Sequence, residues 1–337
     1  MAEDGQRSDS GSARRSDTPP IPVASPDQRI DGAARRPGPA GKDSLAILRF
    51  AAAALVATAL LGAVYGALVL TEPGQRLENL GLAGAELRDT ADRQESLGSL
   101  SHISVLSFGG AILFVIGVGL ARRRPGLGLL VGVVMGISVV AAEVLKEVLS
   151  RPEFFPAPAW LLRNTFPSGH ATVAAAIGIG AILVAPNRLR WVVVPVAAAY
   201  ASTIGQATQI AGWHRLSGTI GGVLLVVAVA SFALAVLADR GHLYRSTAGH
   251  VHARIKTAML GVAGFIVLLA AVIAALPVAF PLLQVPRGAD LAFVHTANAL
   301  IGVGVTITAI VTFGVLLEPF SVGRRDGAPA RASLPIP

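Results

Sequence analysis

The stretch "NTFPSGHATV", Asn164 to Val173, decides how this chain is read. Here a proline, a serine, a glycine and a histidine come together where a long apolar run begins. An ionisable ring at the edge of hydrocarbon is costly unless it is used. Ser168 suits a helix N-cap, because its oxygen can accept a first-turn N–H, and Gly169 lets another group approach the backbone closely. The other first-turn N–H groups and the positive end of the helix dipole then favour an anion.

The rest of the sequence explains why the apolar run is a membrane span. Among 337 residues only 14% are charged, and the mean hydropathy is +0.63. Soluble domains carry about 25% charge. There is no cysteine, so disulfide scaffolds and thiolate metal sites are excluded. The net charge of +8 does not point to nucleic acid, because the basic residues fall on alternate loops instead of one patch.

Apolar runs near the ~20 residues needed to cross a bilayer recur from Leu45 onward. They predict eight spans: Leu45–Leu70, His102–Ala121, Gly126–Leu149, Gly169–Ala185, Trp191–Ala211, Leu216–Ala238, Thr257–Leu283 and Leu291–Leu317. The expected fold is therefore an all-α transmembrane bundle. Residues 1–43 are too polar and too poor in aromatic residues to bury a core and are expected to be a disordered tail. Residues 319–337 form a second tail. Arginines and lysines concentrate on one set of loops: Arg122 to Arg124, Arg188 and Arg190, Arg240 to Lys256, and Arg324 and Arg325. By the positive-inside rule those loops and both termini are cytoplasmic.

This topology carries Lys146 and Arg151, at the end of the third span, to the outer face. Ser168, Gly169 and His170 open the fourth span on that face. Two crossings later "AGWHRLSG" returns His214 and Arg215 to it. Two imidazoles and three cations thus converge. Histidine can serve as nucleophile or general acid near neutral pH, and the cations suit phosphoryl oxygens. No metal-ligand spacing accompanies them, so metal-free phosphoryl transfer with no cofactor is expected. Singly, each residue also has a structural reading: a snorkelling lysine, a post-helix Arg-Pro, a capped helix start, an aromatic belt.

Three segments together resemble the type 2 phosphatidic acid phosphatase superfamily, which also contains the vanadium haloperoxidases. They are "KEVLSRP" (Lys146 to Pro152), "PSGH" (Pro167 to His170) and "ATQIAGWHRLSG" (Ala207 to Gly218). The family patterns are K-x6-R-P, P-S-G-H and S-R-x5-H-x3-D. The resemblance covers about a third of the chain, from Ala121 to Ala238. It implies a six-helix phosphatase-like core over 44–240, with residues 241–318 an additional C-terminal hairpin. It further implies that His214 is the nucleophile and His170 the acid toward the leaving group. Lys146, Arg151, Ser168 and Gly169 would hold phosphate, and the substrate would be a membrane lipid phosphate or polyprenyl diphosphate.

Three departures accompany the match. Four residues, not six, separate Lys146 from Arg151, which turns Lys146 to a different helix face. Ala207 and Thr208 replace Ser-Arg, and the neighbouring Arg215 is the nearest substitute cation. Gly218 stands where the family has the aspartate that orients the nucleophile. Two readings stay open at this point: a working phosphatase, or an impaired relative that binds phospholipid headgroups or a membrane partner.

Overall fold

A computed structural model describes residues 43–155, 164–245 and 288–322. The predicted span Thr257–Leu283, the tail over residues 1–42 and residues 323–337 lie outside them. The elements are α1 (Ser44–Val64, running on through a π turn at Tyr65–Val69), α2 (Glu72–Glu86), α3 (Thr90–Ser101), α4 (Val105–Ala121), α5 (Pro125–Val148), α6 (Gly169–Val184), α7 (Arg190–Ile210), α8 (Leu216–Asp239), β1 (Leu243–Arg245), α9 (Gly288–Leu317) and β2 (Phe320–Val322).

The described residues are all-α apart from one small strand pair. Four described helices are long and apolar enough to cross a membrane: α1 with its π turn, α5, α8 and α9. A fifth is obtained if α3 and α4, bent by 53° at their junction, count as one. Helix α6 is apolar but has 16 residues. Helix α7 fills the predicted Trp191–Ala211 span with 21 residues, yet Ser202, Gln206, Thr208 and Gln209 make it less apolar than the four.

Helix α8 is the axis of the bundle, packed against α1, α5, α6 and α9. Its small residues set the spacing. A Cβ on Gly222 would come within 2.9 Å of the Ser168 carbonyl oxygen and the Thr172 amide, so the start of α6 lies directly on α8. Side chains such as Leu55, Leu106, Leu113 and Phe114 project outward from α1 and α4, as lipid-facing side chains do.

The two ends of the bundle differ in chemistry. At one end arginines donate to the carbonyls that close helices. Arg122 reaches Val184, and Arg190 reaches Leu317 at 3.1 Å and Phe320 at 2.6 Å. Cations there offset the negative ends of α6 and α9. Strands β1 and β2 pair antiparallel at this end, Leu243 opposite Val322. The other end holds His170 and His214.

The stretch between the first two predicted spans is helical and not an irregular loop. It forms the two helices α2 and α3. Thr71 caps α2, accepting from the Gly74 amide, and Pro73 stands in its first turn. The buried face of α2 is made of Gly74, Gln75, Glu78, Gly81, Gly84 and Ala85, and it packs on α9. A Cβ on Gly84 would collide with the backbone and His295 side chain of α9, so glycine is required for that approach.

Candidate functional site

Five segments build the histidine end. The last turn of α5 presents Lys146, whose Nζ donates to Glu143 Oε1 at 2.7 Å. After α5 the chain is pinned by polar bonds. Tyr65 donates to the Ser150 carbonyl at 2.6 Å, and Gln75 donates to the Pro152 carbonyl at 2.8 Å. Asn164 Nδ2 donates to the Leu149 carbonyl at 2.8 Å while its Oδ1 accepts from the Phe166 amide at 3.1 Å. One side chain therefore ties the approach to Pro167 onto the end of α5.

Ser168 is the N-cap of α6, as the sequence predicts. Its hydroxyl is completely buried and accepts from the Ala171 amide at 3.3 Å. Its oxygen shapes the turn from below. Above that turn a Cβ on Gly169 would come within 3.1 Å of both Lys146 Nζ and Glu143 Oε1. The shortened spacing between Lys146 and Arg151 thus leaves the ammonium over the first turn of α6.

His170 follows in that turn. Its ring centre is 6.4 Å from that of His214 and 5.4 Å from that of Trp213. The Trp213-His214 turn hangs from the end of α7. Both amides donate to the Thr208 carbonyl, at 3.0 and 3.2 Å, and Gly212 takes the positive φ of 72° that the turn demands. Thr208 is buried, its hydroxyl donating to the Gly205 carbonyl at 2.7 Å. It therefore supports the turn and does not replace the arginine of the family pattern.

His214 keeps a partly exposed face, but its Nδ1 is walled in and has no partner in full hydrogen-bond geometry. The Thr165 backbone is the polar group facing it. Burial pushes the ring down to about 3, and the positive charges around it, Lys146 first, add to the effect. His214 is thus neutral at physiological pH. Gly218 lies beside it: a Cβ there would stand 3.6 Å from Nδ1 and 3.4 Å from the Thr165 oxygen.

Arg215 is the N-cap residue of α8 and is buried, its Nε donating to Asn79 Oδ1 at 3.1 Å. Burial lowers it to about 10, which leaves it charged at neutral pH. Arg151 is also buried, and its Nη1 stands 3.6 Å from Glu78 Oε2. Burial lowers its affinity for the proton, with Glu78 opposing the shift.

Glu78 belongs to this site and sequence reasoning missed it. It lies between the first two predicted spans, where no apolar run marks it. The available signal was the spacing of Gly74, Glu78, Gly81 and Ala85, a helical stripe of small residues with one acid inside it.

The structure brings all seven predicted residues, His214, His170, Lys146, Arg151, Ser168, Gly169 and Arg215, to one end of the bundle. Among the described residues no group of three or more histidine, aspartate or glutamate side chains could hold a metal ion. Comparison with protein-family models, curated proteins and solved structures finds no match.

Proposed function

We propose that this chain is an integral-membrane phosphatase of lipid phosphates or polyprenyl diphosphates that works without a metal ion through a phosphohistidine on His214. The observation that carries the reading is the pairing of the two imidazoles, with ring centres 6.4 Å apart. A phosphoryl group between them can touch both rings, beside the Lys146 ammonium and the first turn of α6.

In this reading neutral His214 attacks phosphorus through Nε2, while Nδ1 keeps its proton toward the Thr165 carbonyl. The bond from phosphorus to the leaving oxygen breaks as the P–N bond forms, and protonated His170 gives its proton to that oxygen. Water then attacks the phosphohistidine, His170 takes up its proton, and the P–N bond breaks to release inorganic phosphate. Lys146, Arg151, Arg215 and the free first-turn amides of α6 balance charge on the phosphoryl oxygens. Ser168 shapes that turn, and Gly169, with no side chain, lets the Lys146 ammonium approach it closely.

The eight-span topology, with both termini cytoplasmic and the site on the extracytoplasmic face, belongs to the same proposal. It is supported by the arginines Arg122, Arg124 and Arg190 lying at the end opposite the histidines. A lipid substrate would then arrive by lateral diffusion, headgroup first. The C-terminal hairpin would pack against the six-helix core.

One observation favours a second reading, a relative that binds phospholipid headgroups with little turnover. Gly218 places no carboxylate beside His214, and the buried Nδ1 has only a backbone group before it. The test is phosphate release from a panel of lipid monophosphates and diphosphates, in detergent with chelator. Release that is lost in His214→Ala supports the phosphatase. Headgroup binding with release no greater than that of His214→Ala supports the second reading.

A further inference from the structure

Glu78 takes no part in the chemistry above, yet among the described residues no charged side chain near the two rings is more deeply buried. Carried by α2, it is 1% exposed. Its Oε1 accepts the Ser217 amide at 2.7 Å, in the first turn of α8. Its Oε2 faces Arg151 Nη1 at 3.6 Å, and both Oε2 and Arg151 Nη2 lack hydrogen-bond partners. Arg215 feels the same carboxylate and is anchored by the next residue of α2, Asn79. Two adjacent residues of α2 therefore hold two guanidinium groups and the turn that follows His214.

The plain alternative is that Glu78 only caps α8. A cap needs one oxygen, and a neutral side chain caps as well as a charged one. The second oxygen is directed at a cation from a different segment, at a cost in hydration that only charge pairing offsets. Burial raises the Glu78 carboxyl above the usual carboxylate range, with the Ser217 contacts and the two arginines opposing the shift.

We infer that Glu78 is a positioning residue for the anion site, fixing the guanidinium groups of Arg151 and Arg215 relative to His214. This rests on the reading of the site as phosphate-binding, though not on turnover. With the carboxylate gone, the Arg151 head is no longer held. A bound phosphate must then order it, and affinity falls.

The experiment is a double-mutant cycle on the full chain in detergent, reading the Kd of inorganic phosphate by titration calorimetry. Glu78→Gln is expected to weaken phosphate binding at least fivefold with Arg151 present, and less than twofold in the Arg151→Gln background. An equal weakening in both backgrounds would make Glu78 a structural cap and overturn the inference. Tighter binding in Glu78→Gln would also overturn it, because the carboxylate would then act only as an opposing charge. If Glu78→Gln does not give monodisperse protein, Glu78→Asp, which keeps the charge but withdraws it, enters the same cycle with the same expectation. Wild-type protein that binds phosphate but hydrolyses no lipid phosphate would sink the catalytic reading and leave this one standing. Wild-type protein that binds no phosphate would sink both.

Discussion

The amide of Ser168 donates to the carbonyl of Gly218 at 2.9 Å, which stitches the first turn of α6 to the first turn of α8. His170 lies in the first turn of α6 and His214 just ahead of the Arg215 cap of α8, so this bond and the packing below it set the distance between the two rings.

Gly218 is the third residue of α8, where an acid complements the helix dipole. A Cβ there meets only ordinary van der Waals contacts at 3.4 to 3.6 Å. Gly218→Asp is therefore expected to fold and to raise kcat for phosphate release at least tenfold. Loss of the orienting aspartate in serine proteases costs about 10⁴-fold, which bounds the gain. Steady-state phosphate release from the purified variant checks this, and an unchanged kcat would count against the assigned role of His214.

Gly222 permits the close approach of α6 to α8. Gly222→Ala places a methyl group against backbone atoms that cannot yield, at a cost of about 1–3 kcal/mol. Thermal unfolding in detergent should show a lower Tm, and phosphate release should drop with it. Gly136→Ala, in the interior of α5 with open space around it, should leave phosphate release unchanged and hold or raise Tm.

Ser168→Ala removes a buried cap and leaves the Ala171 amide without its acceptor. The expected loss of stability is about 1 kcal/mol, read as a fall in Tm, with phosphate affinity reduced less than by Lys146→Ala.

Because burial lowers the His214 ring to about 3, it should remain neutral across the physiological range. Nitrogen NMR of the histidine rings should show no titration of His214 between pH 5 and 8. The unfolded chain takes up that proton near pH 6.5 and the folded chain does not. Stability from this group is therefore full above about pH 6.5 and is lost as pH falls toward 3. His214→Asn should flatten part of the acid dependence of Tm.

Much of this was legible in the sequence, for physical reasons. The predicted span Gly126–Leu149 matches α5 at Pro125–Val148, and Leu216–Ala238 matches α8 at Leu216–Asp239, because apolar runs bounded by polar residues fix helix ends in a bilayer. The Ser168 cap was legible from its own chemistry. Helix α2 was not, since its buried stripe is glycine, alanine and polar side chains and gives no hydropathy signal. Its contact with α9 depends on small size instead of apolarity. Glu78 was hidden for the same reason. The role of Thr208 also escaped, because a buried hydroxyl that bonds its own helix looks, in sequence, like a missing arginine.

The proposed mechanism requires a covalent bond between phosphorus and His214. The direct measurement is to mix the protein with a radiolabelled lipid phosphate, quench in alkali and assay the chain for label that survives base but is released by acid. Such label should appear on the wild-type chain, grow on Gly218→Asp and vanish from His214→Ala. Phosphate release by the wild-type protein with no labelled chain, or with equal label on His214→Ala, would contradict it.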